Sequence, residues 1–158
     1  MKGVINIELN EIIYEKLNAL NKRAAVETVV NGLREHFENY DAKMNPDLEN
    51  ILEHYDESKE RIFLVASYKG EVIATGALIK EFHNIGRIVR MSVNKVYRGR
   101  GIGRLIIAEL EKLALSKGYK KILIETNHDW YEAIKLYIKC GYIKYKEKIG
   151  DVHFIKYL

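Results

Sequence analysis

Hydrophobic positions along this chain switch between two periods, and the switches mark its elements. Val26, Val29, Val30, Leu33 and Phe37 recur at i, i+3, i+4, i+7 and i+11, which is one face of a helix. Upstream, Lys2 to Leu9 reads as a strand, and Asn10 as the cap of a helix carrying Ile13, Leu17 and Leu20. Asn45-Pro46 opens a third helix, a cap followed by proline at the first helical position, with Leu48, Ile51, Leu52 and Tyr55 as its buried stripe.

Beyond Arg61 the period shortens. Ile62 to Tyr68 and Val72 to Lys80 are β-rich runs joined by Lys69-Gly70, a hairpin signal. Arg87 to Val93 is a further strand that runs into a glycine-rich turn. A helix follows from about Gly101 to Lys117, closed by Gly118, and then a short buried strand from Lys120 to Thr126. Asp129 with Glu132 reads as a capping pair for a helix carrying Tyr137. Tyr142 to Tyr145 and Val152 to Tyr157 finish as strands. This order predicts an α/β protein, a mixed sheet of about six to seven strands with helices on both faces.

Composition bounds the organisation. The 158 residues fit one domain, spanning 1–158, that buries roughly two-thirds of its unfolded surface. With 47% hydrophobic residues, 30% charged and one proline, the chain shows no linker and no internal repeat. The longest apolar run, Ile62 to Ala66, is five residues, far short of a membrane span, so a soluble, cytoplasmic protein with no membrane partner is expected. Oligomeric state is open between monomer and homodimer.

Charge adds a hint of the ligand. Twenty-six basic against 22 acidic residues leave a net charge of +4, which favours an anion without demanding nucleic acid. Nucleic acid is further disfavoured because the aromatic residues are not interleaved with a basic stripe. The five histidines show no paired ligand spacing, so no metal is expected, and the single cysteine, Cys140, reads as a packing residue.

The most specific feature is Arg98-Gly99-Arg100-Gly101-Ile102-Gly103-Arg104, between strand and helix. Glycines let a backbone approach a ligand closely, and the following helix directs its unpaired N–H groups at whatever sits there. The spacing is not that of a P-loop, which needs Gly-Lys-Ser/Thr at its end, nor of the dinucleotide fingerprint, since the glycines run G-x-G-x-G. Arg98-x-x-Gly101-x-Gly103 instead resembles the acetyl-CoA signature of the GNAT superfamily of N-acetyltransferases, Q/R-x-x-G-x-G/A. Ala133-Ile-Lys-Leu-Tyr-Ile-Lys-Cys-Gly-Tyr142 resembles that family's A-I-x-L-Y-x-K-x-G-F/Y segment, in the expected order. Arg90-Met91-Ser92-Val93 matches members whose fourth strand reads Arg-Met-x-Val.

The resemblance implies the GNAT fold and acetyl-CoA as cosubstrate. The backbone of Gly99 to Arg104 would hold the pyrophosphate, and Met91, Ser92 and Val93 would meet pantetheine through their peptide groups in a gap between the fourth and fifth strands. Tyr137, at the family's tyrosine position, would protonate the departing thiolate. The asparagine common seven residues before that tyrosine is Trp130 here, so Asn127 is the candidate substitute, and Lys95 stands where a proline is often found.

No acid lies on Arg87 to Val93, so the general base is open among Glu125, Glu81, His83, Glu53, His54 and a water chain. Arg87 and Arg90 would bind an anionic group on the acceptor, making an amino acid or related small amine the expected partner. A polyamine would instead use the acidic N-terminal helices. Protein N-terminal or lysine acetylation, and a CoA-binding module without catalysis, are the alternatives.

Overall fold

The structure is a computed structural model and describes residues 5–158. Its elements run β1 (Ile13–Lys16), α1 (Lys22–Arg34), α2 (Ile51–His54), β2 (Arg61–Tyr68), β3 (Glu71–Phe82), β4 (Ile85–Val93), α3 (Ile102–Ser116), β5 (Lys121–Asn127), α4 (Tyr131–Lys139), β6 (Ile143–Lys148) and β7 (Asp151–Tyr157). The strands form one seven-stranded sheet in the order β1-β2-β3-β4-β5-β7-β6. Every neighbouring pair is antiparallel except β4 and β5, which are joined through α3.

Each face of the sheet has its own core. Ile73, Leu78, Ile88, Ile122, Ile124 and Phe154 pack beneath α3 and α4, while Phe63, Val65 and Ala77 pack beneath α1 and α2. The β2–β3 hairpin closes at Lys69-Gly70, both with positive φ, the backbone pattern that suits the twist of two-residue hairpins.

The N-terminal third departs from the helical periodicity. Residues 2–4 of the expected first strand lie outside the described residues, and 5–8 have no regular structure. Ile13 to Lys16 is an edge strand on β2 rather than a helix. Helical spacing of Ile13, Leu17 and Leu20 is outweighed because four residues suffice for ladder bonds, and Leu20 is left in solvent. The third helix is a short 3-10 turn over Pro46–Leu48 followed by the single-turn α2, though Leu48, Ile51 and Tyr55 are buried as expected. Before α4 the Asp129/Glu132 cap is not made. Trp130 occupies the cap position without a side-chain bond, and Asn127 Oδ1 accepts from Asp129 N–H instead.

Candidate active site

The seam between β4 and β5 is where this sheet opens. Parallel pairing runs from Ile85↔Lys121 to Ile88↔Ile124 and then stops. Both strands continue, so the β4 edge from Val89 to Val93 has no strand partner on that side, while β5 goes on pairing with β7 to Asn127. A bulge in β4 accompanies the parting. Thr75 pairs with Ser92 and Ala77 with Val89, so Arg90 and Met91 together face Gly76. Arg90 adopts φ +55°, and Thr75 Oγ1 donates to its carbonyl at 2.9 Å. Gly76 is required there, since a Cβ would meet Met91, Ile106 and Leu110 at 2.8–2.9 Å.

At the end of β4 the chain turns into α3. Gly99 and Gly101 have φ of +76° and +82°, with open space where a Cβ would stand. From Gly99 to Arg104 no backbone N–H finds an acceptor among the described residues; the first helical bond is Leu105 N–H to Gly101 O at 3.2 Å. Six consecutive donors at the head of a 15-residue helix make a cradle for an oxyanion. Ile102 is buried and anchors the turn, and Arg104 is exposed. Gly103 has a further task besides offering its N–H. A Cβ there would lie 3.0 Å from Leu136, so it sets the approach of α3 to α4 beside Tyr137.

Tyr137 is 6% exposed, edge-on to Tyr142 and Phe154, and its hydroxyl has no hydrogen bond among the described residues. Burial, with Cys140 adding, pushes the phenol well above its usual range, so it is held as a proton donor. Burial also raises the Cys140 thiol, in keeping with a packing role.

The arginines divide. Arg98 donates to both oxygens of Glu35 at 2.6 and 2.8 Å and to Val93 O at 2.9 Å, tying the end of α1 to the turn. Arg90 grips Asp47 at 2.9 and 2.6 Å, with Tyr55 donating to the same carboxylate at 2.7 Å. Its guanidinium is thereby engaged in the α2 face rather than presented to an acceptor. Arg87 is held by Glu81 at 2.8 and 2.9 Å and reaches Glu125 at 3.4 Å. Arg100 Nε is buried with no partner among the described residues.

On the open face Glu125 follows Ile124, the last residue of β5 paired with β4, with its side chain 43% exposed. His153, which no local pattern singles out, lies opposite it on β7. Ser92 Oγ donates to Thr28 O at 3.1 Å, which brings α1 onto β4. Trp130 stacks on His36 at 4.2 Å and meets Phe37 edge-on, bridging the turn before α4 to the chain after α1. A cleft of about 1270 Å³ runs along α1 and reaches Val93 and Arg98. Among the described residues no cluster of three metal-ligating side chains occurs, and no helix is long and apolar enough to cross a membrane.

The model of the acetyltransferase (GNAT) family matches residues 27–142. The chain belongs to this family. Relatives include an uncharacterized N-acetyltransferase of Chlorobaculum tepidum, 28% identical over 106 residues, 67% of this chain and 65% of that protein. N-acetyltransferase 8 of Rattus norvegicus is 28% identical over 122 residues, 73% of this chain and 55% of that one. The chain thus aligns with just over half to just under two thirds of the length of these two relatives. Among solved structures, a GNAT-family acetyltransferase from Staphylococcus aureus Mu50 superposes with a TM-score of 0.83 at 22% identity, covering 93% of this chain and 99% of that one. PaiA N-acetyltransferase from Thermoplasma acidophilum, in complex with coenzyme A, gives 0.82 at 17% identity, covering 93% and 99%. The seven-stranded mixed sheet is the GNAT acyl-CoA N-acyltransferase fold.

Proposed function

We propose that this chain is an acetyl-CoA-dependent N-acetyltransferase that transfers the acetyl group directly to the amine of a small molecule within a ternary complex. The observation that carries the reading is the parting of β4 and β5, with six unpaired N–H groups at its mouth and, on α4 beside the α3–α4 contact, the largely buried Tyr137 whose hydroxyl has no partner among the described residues.

These residues fit acetyl-CoA. Backbone N–H groups from Gly99 to Arg104, with Arg100 and Arg104, suit a pyrophosphate, and the open edge of Met91, Ser92 and Val93 suits an extended chain carrying amides. Asn127 lies on the opposite wall, its carbonyl oxygen engaged in the turn and its amide N–H groups left to donate. Bound acetyl-CoA supplies the thioester. Glu125, half exposed on the open face, receives the acceptor's ammonium, and Tyr137 holds the proton that the leaving sulfur requires. Two carboxylates, Glu81 and Glu125, surround the single guanidinium of Arg87, so this face favours a cationic amine end. An anionic group on the acceptor would have to displace Glu125 from Arg87.

Thiol release from acetyl-CoA, assayed against amino acids, polyamines, aminoglycosides and peptides, tests the reading. Tyr137→Phe keeps the ring and removes the proton, so kcat should fall by about 10² to 10⁴ while acetyl-CoA affinity by calorimetry stays unchanged. Wild-type turnover by that variant removes Tyr137 from the reaction, and absence of acetyl-CoA binding by the intact chain removes the function.

A further inference from the structure

Two buried side-chain polar atoms lack a partner among the described residues, Arg100 Nε and His153 Nε2. Arg100 belongs to the turn already described. His153 belongs to nothing so far assigned. It sits on β7, 8% exposed, directly opposite Glu125 in the ladder. Its neighbours Val152 and Phe154 point into the core under α3 and α4, so strand alternation sends His153 to the opposite face, the face of Glu125 and Arg87. Nδ1 lies 3.7 Å from Glu125 Oε2, and the ring meets Tyr145 edge-on with centroids 6.1 Å apart.

A histidine kept only for packing would be expected to satisfy its ring nitrogens, because an unpartnered buried polar atom costs about 1–3 kcal/mol. His153 carries that cost at the ladder position immediately after the last β4–β5 pair. Imidazole is also the side chain that gains and loses a proton near neutral pH. Facing the ring are Glu125 on β5, Arg87 on β4 with its Glu81 on β3, and Tyr145 and Lys146 on β6. Glu81 and Glu125 offset Arg87 and Lys146, so the group is neutral while the ring is uncharged.

We propose that His153 is the positioning residue behind Glu125 and the final resting place of the proton that the acceptor's ammonium loses before attack. This rests on the acetyltransferase reading above. One N–H bond of the ammonium breaks, and its electron pair stays on nitrogen, which becomes the nucleophile. The proton passes to Glu125 Oε2 and then to His153 Nδ1 as the gap closes to hydrogen-bond length. Glu125 returns to carboxylate and the ring becomes imidazolium. The neutral ring must therefore carry its proton on Nε2, leaving the Nδ1 lone pair toward Glu125.

Side-chain ¹⁵N NMR of the full chain, with no acceptor present, tests the pair independently of catalysis. The neutral His153 ring should be the Nε2–H tautomer, and its ring-nitrogen chemical shifts should change in Glu125→Gln, where the Nδ1 side has lost its carboxylate. A ring that carries its proton on Nδ1, or whose nitrogen shifts are identical in both proteins, overturns the proposal.

Turnover supplies the second arm, with acetyl-CoA and spermidine, lysine or tyramine as acceptor. His153→Gln should lower kcat/KM for the amine about 10²-fold at pH 7, leave the acetyl-CoA KM unchanged, and approach wild type toward pH 9 as free amine accumulates. Unchanged turnover at pH 7, or a loss that tracks a lowered melting temperature with the pH profile intact, makes the ring a packing residue and overturns the proposal. A wild type inactive on all three amines counts against the proposed function, and the NMR comparison alone then decides the pair.

Discussion

Arg87 and Arg90 on β4 and Arg100 and Arg104 around the head of α3 carry the same charge within eighteen residues of chain, yet the fold treats them oppositely. On β4 each guanidinium is closed by a carboxylate brought from elsewhere: Glu81 for Arg87, Asp47 for Arg90. Around the turn, Arg100 and Arg104 have no carboxylate within ion-pair distance among the described residues. Positive charge written in a sequence is therefore not the same as positive charge available to a ligand. Arg98, nearest the turn of the paired arginines, belongs with the first group, since Glu35 takes both of its terminal nitrogens.

The largest expected effect lies on the closed side. Arg90→Met leaves Asp47 buried without its cation, with that side chain only 11% exposed, and should cost about 3 kcal/mol by denaturant unfolding. Arg87→Met should cost about 1 kcal/mol or less, because Glu81 and Glu125 remain solvated when it goes. Equal losses in the two variants would break the distinction between a built-in pair and a surface one.

On the open side the loss should appear in binding instead. Replacing Arg100 and Arg104 together by alanine should weaken acetyl-CoA binding by about 10- to 100-fold in calorimetry, with a shallower salt dependence and nearly wild-type stability. A double variant that binds normally but unfolds easily would reverse the comparison.

The smallest effect is a dependence on acid. Burial opposes ionisation of Asp47, but hydrogen bonds from Arg90 and Tyr55 outweigh it and hold the carboxyl below its ordinary range. A group depressed in the folded state contributes fully above its unfolded value, near about 3.9, and that contribution is lost as pH falls through the lower native value. Wild type should therefore lose stability across that acidic window, and Asp47→Asn should show a flatter profile there when melting is followed against pH.

How much was legible follows the range of the interactions. The cradle could be read because its glycines, arginines and helix start are contiguous, and the β2–β3 hairpin because Lys69-Gly70 is local. Partners could not be read. Arg90 and Asp47 are 43 positions apart, and Arg98 and Glu35 are 63, so nothing in the strand or the turn announces that these cations are engaged. Gly103 looked like its neighbours Gly99 and Gly101, but its constraint is Leu136 on another helix. His153 carries no local motif at all; its interest arises from a ladder partner 28 residues away in the chain and from a missing bond. The edge strand β1 escaped for a similar reason, since four residues are too few for helical and extended periods to separate.

The unpaired donors of the turn have a consequence for how the molecule would report on itself. Amide hydrogens exchange with deuterium at a rate set by how often they lose their hydrogen bonds, and those of Gly99 to Arg104 have none to lose within the described chain. They should label as fast as an unstructured peptide although they open a helix whose later turns are among the most buried parts of the protein. Slowing of that one hexapeptide on titration would mark the moment an anion enters, residue by residue, with no need to know what the acceptor is.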